Sequence, residues 1–553
     1  MTKKNTQDLL TNIVTLGFCM LTILFFSALT VHYINIAEFN ITALKVGIYM
    51  IIFSAVIVAI IMAILYLLPR KFAHIIVVLF LALGLLVWIQ ANILPWDYGV
   101  LDGKGLDWDG KKFYGYIDSF MWMIGFAVAI WKYKFLYQHA RNISIAFIVI
   151  QAVFLTIIII QAPDEPSFKS YEVTTDQKYD FSKNKNVVIL VLDTFQSDIF
   201  QEMINENPYY LKTFDGFTYF RNATSGFPTT YPSIPLILTG QYYDNSIPMQ
   251  KFIEKAYEEN SLPKVLKENG YDVGLYAVKN TVYYNEDIAS NFVEKSNFSP
   301  QFEDLKKFLM FDLFKISPHF VKKYIYFHFN EKDVMTAEFE EFVDFKNGIQ
   351  KAKVDIDDPT FRFYHLVGIH PPLSIDENMN YKEMPVTREN LKRQGTSQLK
   401  ACAEMITAFK KLGIYDNTMI IITADHGLGE GLATSGKIPA KIHGTALPML
   451  LVKPFESKGG LKLSDAPVST RDITSTVFSA LNITGDFVKQ SVFDFKKNDK
   501  RVRRFYYYDW NNYDWKLEKR YLPRMVEYFI DGFSWQGSSW TTTGKELVPP
   551  TIR

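Results

Sequence analysis

Two places in this chain put potential metal ligands directly behind runs of apolar residues. Asp193 follows Asn186 to Leu192 (NVVILVL), and Asp425-His426-Gly427 follows Thr418 to Thr423 (TMIIIT) with one alanine between. Carboxylate oxygen and imidazole nitrogen are a natural ligand pair for a divalent transition metal. One histidine among oxygen ligands suits zinc first and manganese second. A lone carboxylate in such a place often only caps a helix, which leaves Asp193 by itself open between cap and ligand. An adjacent Asp-His pair is harder to explain as a cap.

Such residues must be held by rigid elements. The NVVILVL run is β-branched and apolar without alternation, as expected of a strand buried on both faces of a parallel sheet. Leu262 to Asn269 reads as a helix, Gly270 turns the chain, and Asp272 to Val278 is a second strand. The pattern returns with a strand at Phe361 to Val367, a helix at Leu399 to Leu412, a break at Gly413 and the TMIIIT strand. Strands alternating with helices predict an α/β domain with a mostly parallel central sheet, whose sites collect beyond the carboxyl ends of the strands. Asp193 and the Asp425-His426 pair stand there. The aromatic tail from Phe505 to Trp540 fits a small antiparallel addition.

The first part of the chain is of another kind. Five stretches are apolar over about 20 residues, enough to cross a hydrocarbon layer. They run from Leu9 to Tyr33, Ala43 to Leu68, Ala73 to Leu94, Ile117 to Leu136 and Ile143 to Gln161. A cleavable signal peptide is a poor account of the first, whose apolar core is too long and lacks a small-residue cleavage site. Lys3 and Lys4, Arg70 and Lys71, and Lys132, Lys134 and Arg141 fall at alternate connections, which marks those as cytoplasmic. An odd number of spans then delivers everything after Gln161 to the outer face. The expected division is a membrane domain over 1–162, a polar linker over 163–185 and an extracytoplasmic domain over 186–553.

The charge balance, 59 Lys and Arg against 58 Asp and Glu, gives no reason to expect nucleic acid as a partner. Cys19 and Cys402 are the only cysteines, so no disulfide framework supports the fold.

A resemblance sharpens these readings. The run Thr230-Tyr231-Pro232-Ser233-Ile234-Pro235-Leu236-Ile237-Leu238-Thr239-Gly240 resembles the sulfatase signature C-x-P-S-R with its Leu-Thr-Gly close, and also the T-x-x-S-x-P pattern of phosphoethanolamine transferases. With Asp193 before it and Asp425-His426 after it, the chain resembles the alkaline phosphatase and sulfatase superfamily across its whole second half. Five spans before such a domain are similar to the lipoteichoic acid synthases and phosphoethanolamine transferases. The resemblance implies Thr230 as nucleophile, in preference to Thr229, which lacks the spacing to Pro232 and Ser233. It implies a metal held by Asp193, Thr230, Asp425 and His426. His370, in Gly-Ile-His-Pro-Pro, and His443, in Ile-His-Gly, match substrate-side histidines of the transferases, suited to move a proton or hold a second metal. The remaining histidines, His365 among them, are expected to be structural.

The departures narrow the chemistry. A sulfatase needs Cys or Ser for conversion to formylglycine and usually an Arg four residues later, where this chain has Thr230 and Ile234. Sulfate-ester hydrolysis is therefore disfavoured. The expectation is a transferase of the plasma membrane that moves a phosphoethanolamine or phosphoglycerol group from a phospholipid to an envelope glycan or glycolipid. A phosphodiesterase or phosphatase and a non-catalytic lipid-binding regulator are the alternatives. Lys279 lies one residue out of register with a sulfatase lysine and reads as a solvated charge. Phe308 to Phe329, rich in Phe, Tyr and Ile with Lys322 and Lys323, reads as a buried element before a bilayer-surface one.

Overall fold

The computed structural model describes residues 3–35, 41–98, 101, 106–162, 171–278, 280–294, 302–326, 331–429, 438–510 and 520–550. The chain forms two units, Met1–Ser170 with Lys295–Glu331 and Tyr171–Glu294 with Lys332–Arg553.

The first unit contains five helices long and apolar enough to cross a membrane: Thr6–Ile34, Ala43–Leu67, Arg70–Asn92, Lys112–Trp131 and Tyr133–Gln161. The break between the last two falls earlier than the hydropathy pattern predicts. Lys132 leaves the helical region (φ −102°, ψ 22°) and ends the fourth helix at Trp131. The following polar stretch then stays helical, so Lys134 and Arg141 ride on the fifth span instead of lying in a loop. Polar residues end an apolar run without ending a helix, and hydropathy cannot separate the two.

The second unit is built on a seven-stranded sheet. Its strands are β1 (Asn186–Leu192), β2 (Thr218–Phe220), β3 (Asp272–Tyr276), β4 (Thr360–Leu366), β5 (Thr418–Thr423), β6 (Leu450–Lys453) and β7 (Lys462–Ser464). The spatial order is β7-β2-β6-β5-β1-β4-β3. The run β5-β1-β4-β3 is parallel throughout, and β6 is antiparallel to both its neighbours. This is the expected mostly parallel α/β sheet.

The inner strands alternate between two cores. Val187, Ile189 and Val191 of β1, Phe361 and Phe363 of β4, and Met419 and Ile421 of β5 face one core together with helix α1 (Thr230–Thr239). Val188, Leu190, Tyr364, Leu366, Ile420 and Ile422 face the other. Full burial of each such side chain contributes about 1.5–3 kcal/mol, so both faces are strongly specified. A three-stranded antiparallel sheet, β8 (Val502–Tyr507), β9 (Met525–Asp531) and β10 (Trp540–Leu547), realises the predicted aromatic addition.

Two domain boundaries differ from expectation. Within the predicted linker, Tyr171–Val173 pairs with Phe292–Glu294 and Asp180–Ser182 pairs with Lys353–Ile356, so the sheet unit begins at Tyr171. Short strands held by backbone bonds need no apolar period, and 163–170 lie outside the described residues. The sheet unit is also not continuous from 186 to 553. The chain leaves it after Glu294, forms helices α2 (Phe302–Ile316) and α3 (His319–Tyr326) within the membrane unit, and re-enters it along helix α4 (Glu331–Gln350). The segment from Phe308 is thus helical, with Phe308, Phe314, Ile316 and Tyr326 buried, and 327–329 lie outside the described residues.

Candidate metal and nucleophile site

The sheet register assembles the site. Val191 of β1 is paired with Thr423 of β5 on one side and His365 of β4 on the other. Two residues beyond Val191 and Thr423, on the same face, come Asp193 and Asp425. The peptide after Asp193 turns sharply: Thr194 adopts the left-handed conformation (φ 57°), and its N–H donates to Asp425 Oδ1 at 3.3 Å. Gly368 closes against the same corner. Its φ is +55°, and a Cβ there would stand 2.2 Å from the Asp193 carbonyl oxygen and 2.5 Å from its nitrogen. Only glycine permits this approach.

Thr230 arrives from the facing side as the first residue of α1, with Thr229 extended before it. Its Oγ1 lies 3.4 Å from Asp193 Oδ2 and 3.5 Å from His426 Nε2. The helix N-terminus favours negative charge developing on that oxygen. Thr229 is engaged elsewhere, its hydroxyl bonded to that of Tyr508. The preference for Thr230 over its neighbour therefore has a geometric basis.

His426 Nδ1 stands 2.8 Å from the Gly427 carbonyl. A carbonyl only accepts, so Nδ1 carries a proton and Nε2 is the nitrogen left to bind a cation. That Nε2 lies 3.7 Å from Asp193 Oδ1 and 3.5 Å from Asp425 Oδ2. On the other side of the carboxylates His365 Nε2 approaches Asp193 Oδ2 at 3.7 Å and Asp425 Oδ2 at 3.9 Å.

The residues present fit a divalent cation. Asp193 Oδ1, Asp425 Oδ2 and His365 Nε2 are all buried without a hydrogen-bond partner among the described residues, and such orphaned groups are costly unless something binds them. Ligand atoms of Asp193, His365 and Asp425 lie within 4.8 Å of one another. Burial, with the Asp425 charge beside it, pushes the Asp193 carboxyl up to about 7 against the pull of His365 and His426. Burial alone would raise Asp425 as well, but the His426 and His365 imidazoles hold it far below the usual range. Two buried carboxylates side by side call for positive charge, which a cation supplies.

His370 follows the Gly368 turn. Burial lowers its pKa, opposed by Glu338 and Asp425, so the ring is neutral near pH 7. Glu338, on α4, is itself pushed up to about 7 by burial and has a buried oxygen without a partner. His443 is placed differently from its motif. Its Nε2 lies 2.6 Å from the Ser534 carbonyl and its ring packs edge-on to Trp540, with no hydrogen bond or ion pair to Asp193, Thr230, Asp425 or His426 among the described residues. The Ile-His-Gly pattern matched, but the ring is committed to the C-terminal sheet region. Lys279 lies outside the described residues.

His365 is the residue that sequence reasoning missed. Its signal was present in β4, where Phe361, Phe363 and His365 share one face and the last of the three is polar. Reading it required knowing that β4 lies beside β1.

A search of curated proteins finds no match. Among solved structures the chain is similar to Ps i-CgsB, at 15% identity over 65% of this chain and 86% of that one with a TM-score of 0.40. It is similar to the lipoteichoic acid synthase LtaP from Listeria monocytogenes at 13% identity, over 66% and 89%, with a TM-score of 0.36. The phosphonate monoester hydrolase SpPMH from Silicibacter pomeroyi follows at 12% identity, over 63% and 87%, with a TM-score of 0.38. The sulfatase family model matches residues 185–483, from the residue before β1 through the Asp425-His426 pair and beyond. With more than half of its length matched and a mostly parallel sheet carrying the site at its strand ends, the chain belongs to the sulfatase family.

Proposed function

We propose that this protein transfers a phosphoethanolamine or phosphoglycerol group from a membrane phospholipid to an envelope glycan or glycolipid through a phosphothreonine-type intermediate on Thr230. The observation that carries the reading is the position of Thr230 Oγ1, between Asp193 Oδ2 and the bare Nε2 of His426. A threonine cannot become formylglycine, so its use in such a site is as a direct nucleophile. The five spans support a lipid donor, because anchoring raises the local concentration of phospholipid at the site. The alternating cations favour a plasma-membrane protein whose sheet unit faces outward.

In the first step the Thr230 oxygen bonds to phosphorus and the bond to the diacylglycerol oxygen breaks. Asp193 Oδ2, which accepts from the Thr230 hydroxyl, gives the departing proton a first place to go, from which it passes to the leaving diacylglycerol oxygen. Asp193, Asp425, His426 and the Thr230 oxygen, with His365 beside both carboxylates, would hold a divalent cation, zinc in preference to manganese, which when bound would lower the pKa of the hydroxyl and offset charge on the phosphoryl oxygens. In the second step the acceptor oxygen bonds to phosphorus as the bond to the Thr230 oxygen breaks; neutral His370 is suited to accept the acceptor's proton, and the freed Thr230 oxygen takes up a proton to restore its hydroxyl. His443, bonded to Ser534, has no part in this account.

Membership of the sulfatase family favours hydrolysis as the second reading, with water as the acceptor. Incubation with head-group-labelled phospholipid, without acceptor, separates the two. A labelled peptide around Thr230 that persists until an acceptor is added supports transfer. Steady release of free head group supports hydrolysis, and the absence of any adduct or release excludes both.

A further inference from the structure

We infer that the α2–α3 hairpin is embedded in the lipid leaflet at the end of the span bundle from which the fifth span leads to the sheet unit, with its outward face against acyl chains. Its roots are deep in the bundle. Phe308, fully buried, packs among Phe26 and Leu29 of the first span, Val46 and Met50 of the second and Leu155 of the fifth. Met50 lies seven residues after Ala43, and Leu155 six before Gln161. At 1.5 Å per residue this cluster extends about 10 Å inside the helix ends, and the Phe308 ring lies 6.3 Å from that of His32 within it.

Asp312, His319 and Lys322 of the hairpin are turned inward and bound there. Asp312 accepts from the Ser27 hydroxyl of the first span at 2.5 Å. The backbone N–H of His319 donates to Asp118 Oδ2 at 2.7 Å, and the His319 ring bonds to the Tyr98 hydroxyl at 2.7 Å. Lys322 is buried, with its ammonium on the carbonyls of Phe314 and Lys315 at the end of α2.

The outward face is apolar and aromatic: Leu313 is 42% exposed, Phe320 51% and Tyr324 75%. A hairpin in water shows the reverse, charge outward and apolar groups inward. An inside-out arrangement fits lipid, because no water is available there to satisfy polar groups. Leu44 and Ile48 near the start of the second span and Phe113 and Phe120 of the fourth are exposed apolar residues as well. Exposed Lys323 between Phe320 and Tyr324 suits the head-group boundary, its stem on the apolar face and its ammonium in water.

The test uses the full chain in phosphatidylglycerol and phosphatidylcholine vesicles. Native Cys19 and Cys402 are both fully buried, so an introduced cysteine is the reactive one. Spin labels at Leu313→Cys and Phe320→Cys are compared with Ile52→Cys on the second span and Tyr209→Cys on the sheet unit, by collision with oxygen and with a water-soluble nickel chelate. The expected result is an oxygen-to-nickel ratio at 313 and 320 like that at 52. A ratio like that at 209 would place the face in water and overturn the inference. Weak collision with both reagents would mean that protein, such as a second copy of the chain, covers the face, which overturns it equally. Neither outcome depends on which group is transferred.

Discussion

His426 turns its Nε2 to within 3.5 Å of Thr230 Oγ1 while its Nδ1 is held by the Gly427 carbonyl. The backbone thereby fixes both the ring's orientation and the nitrogen that carries the proton. An imidazole held this way is a ready metal ligand beside the nucleophile, since the outer hydrogen bond selects the tautomer before any cation arrives.

Replacing Thr230 with alanine removes a hydroxyl and a methyl from a partly buried position. Folding and membrane insertion should persist, with a stability change of about 1 kcal/mol or less. Turnover should fall by a factor on the order of 10⁴ or more, as losses of nucleophiles generally do. Serine should restore part of it, because it keeps the attacking oxygen and lacks only the methyl that restricts its rotamer. Steady-state assay of both variants checks this, and full activity in the alanine variant would exclude Thr230.

His365→Asn should lower zinc affinity by about 10–100-fold while leaving the sheet intact. Its Nε2 lies beside both carboxylates and has no other partner among the described residues. Equilibrium dialysis against a zinc buffer reads the affinity without any assay of activity. Unchanged affinity would return His365 to a purely structural role.

With the cation stripped, Asp193 keeps its proton in the folded protein up to about pH 7, whereas in the unfolded chain it loses it near pH 4. The folded state therefore binds more protons between those values. The Asp193 contribution to stability should decline as the pH rises from about 4 to 7, by up to about 1.4 kcal/mol per unit. Asp425, held low, contributes in the opposite sense: its share is present above about pH 4 and is lost as the pH falls below. Cation binding displaces the Asp193 proton, so zinc affinity should rise about tenfold per pH unit up to about pH 7. Competition with a chromophoric chelator across this range would show a flat profile if the carboxylate pair were not the ligand.

Gly368→Ala should be among the most damaging substitutions remote from the nucleophile. The new methyl meets the Asp193 backbone, which cannot move without displacing the carboxylate. A loss of roughly 2–4 kcal/mol, together with weakened zinc binding, is expected from denaturant titration and dialysis.

Reporters fused after Lys71 and after Arg141 should be cytoplasmic, and one fused after Lys185 external. An external signal at Arg141 would contradict five spans in the orientation set by the cations.

Much of this site was legible because a buried parallel strand announces itself and the polar residue that ends it stands out. Asp193 and Asp425-His426 were found that way, and Thr230 through the pattern around Pro232 and Ser233. His365 lies within a strand, and its role depends on β4 being the neighbour of β1, a pairing across 174 residues that no local pattern carries. The partner of His443, the Ser534 carbonyl, comes 91 residues later and was hidden from local patterns in the same way. The five spans were found by length and apolarity alone. That the chain would revisit them with α2 and α3 was not, because apolar residues announce burial without naming the surface that buries them.

That excursion bears on how the enzyme could be prepared without detergent. A fragment starting at Tyr171 would still contain α2 and α3, now deprived of the span residues that cover Phe308 and of the Ser27 hydroxyl that satisfies Asp312. An orphaned carboxylate and bare aromatic rings on one short hairpin are a recipe for aggregation, however sound the sheet itself. A soluble version should therefore omit 295–331 as well as the spans, joining Glu294 to Lys332 through a flexible connector.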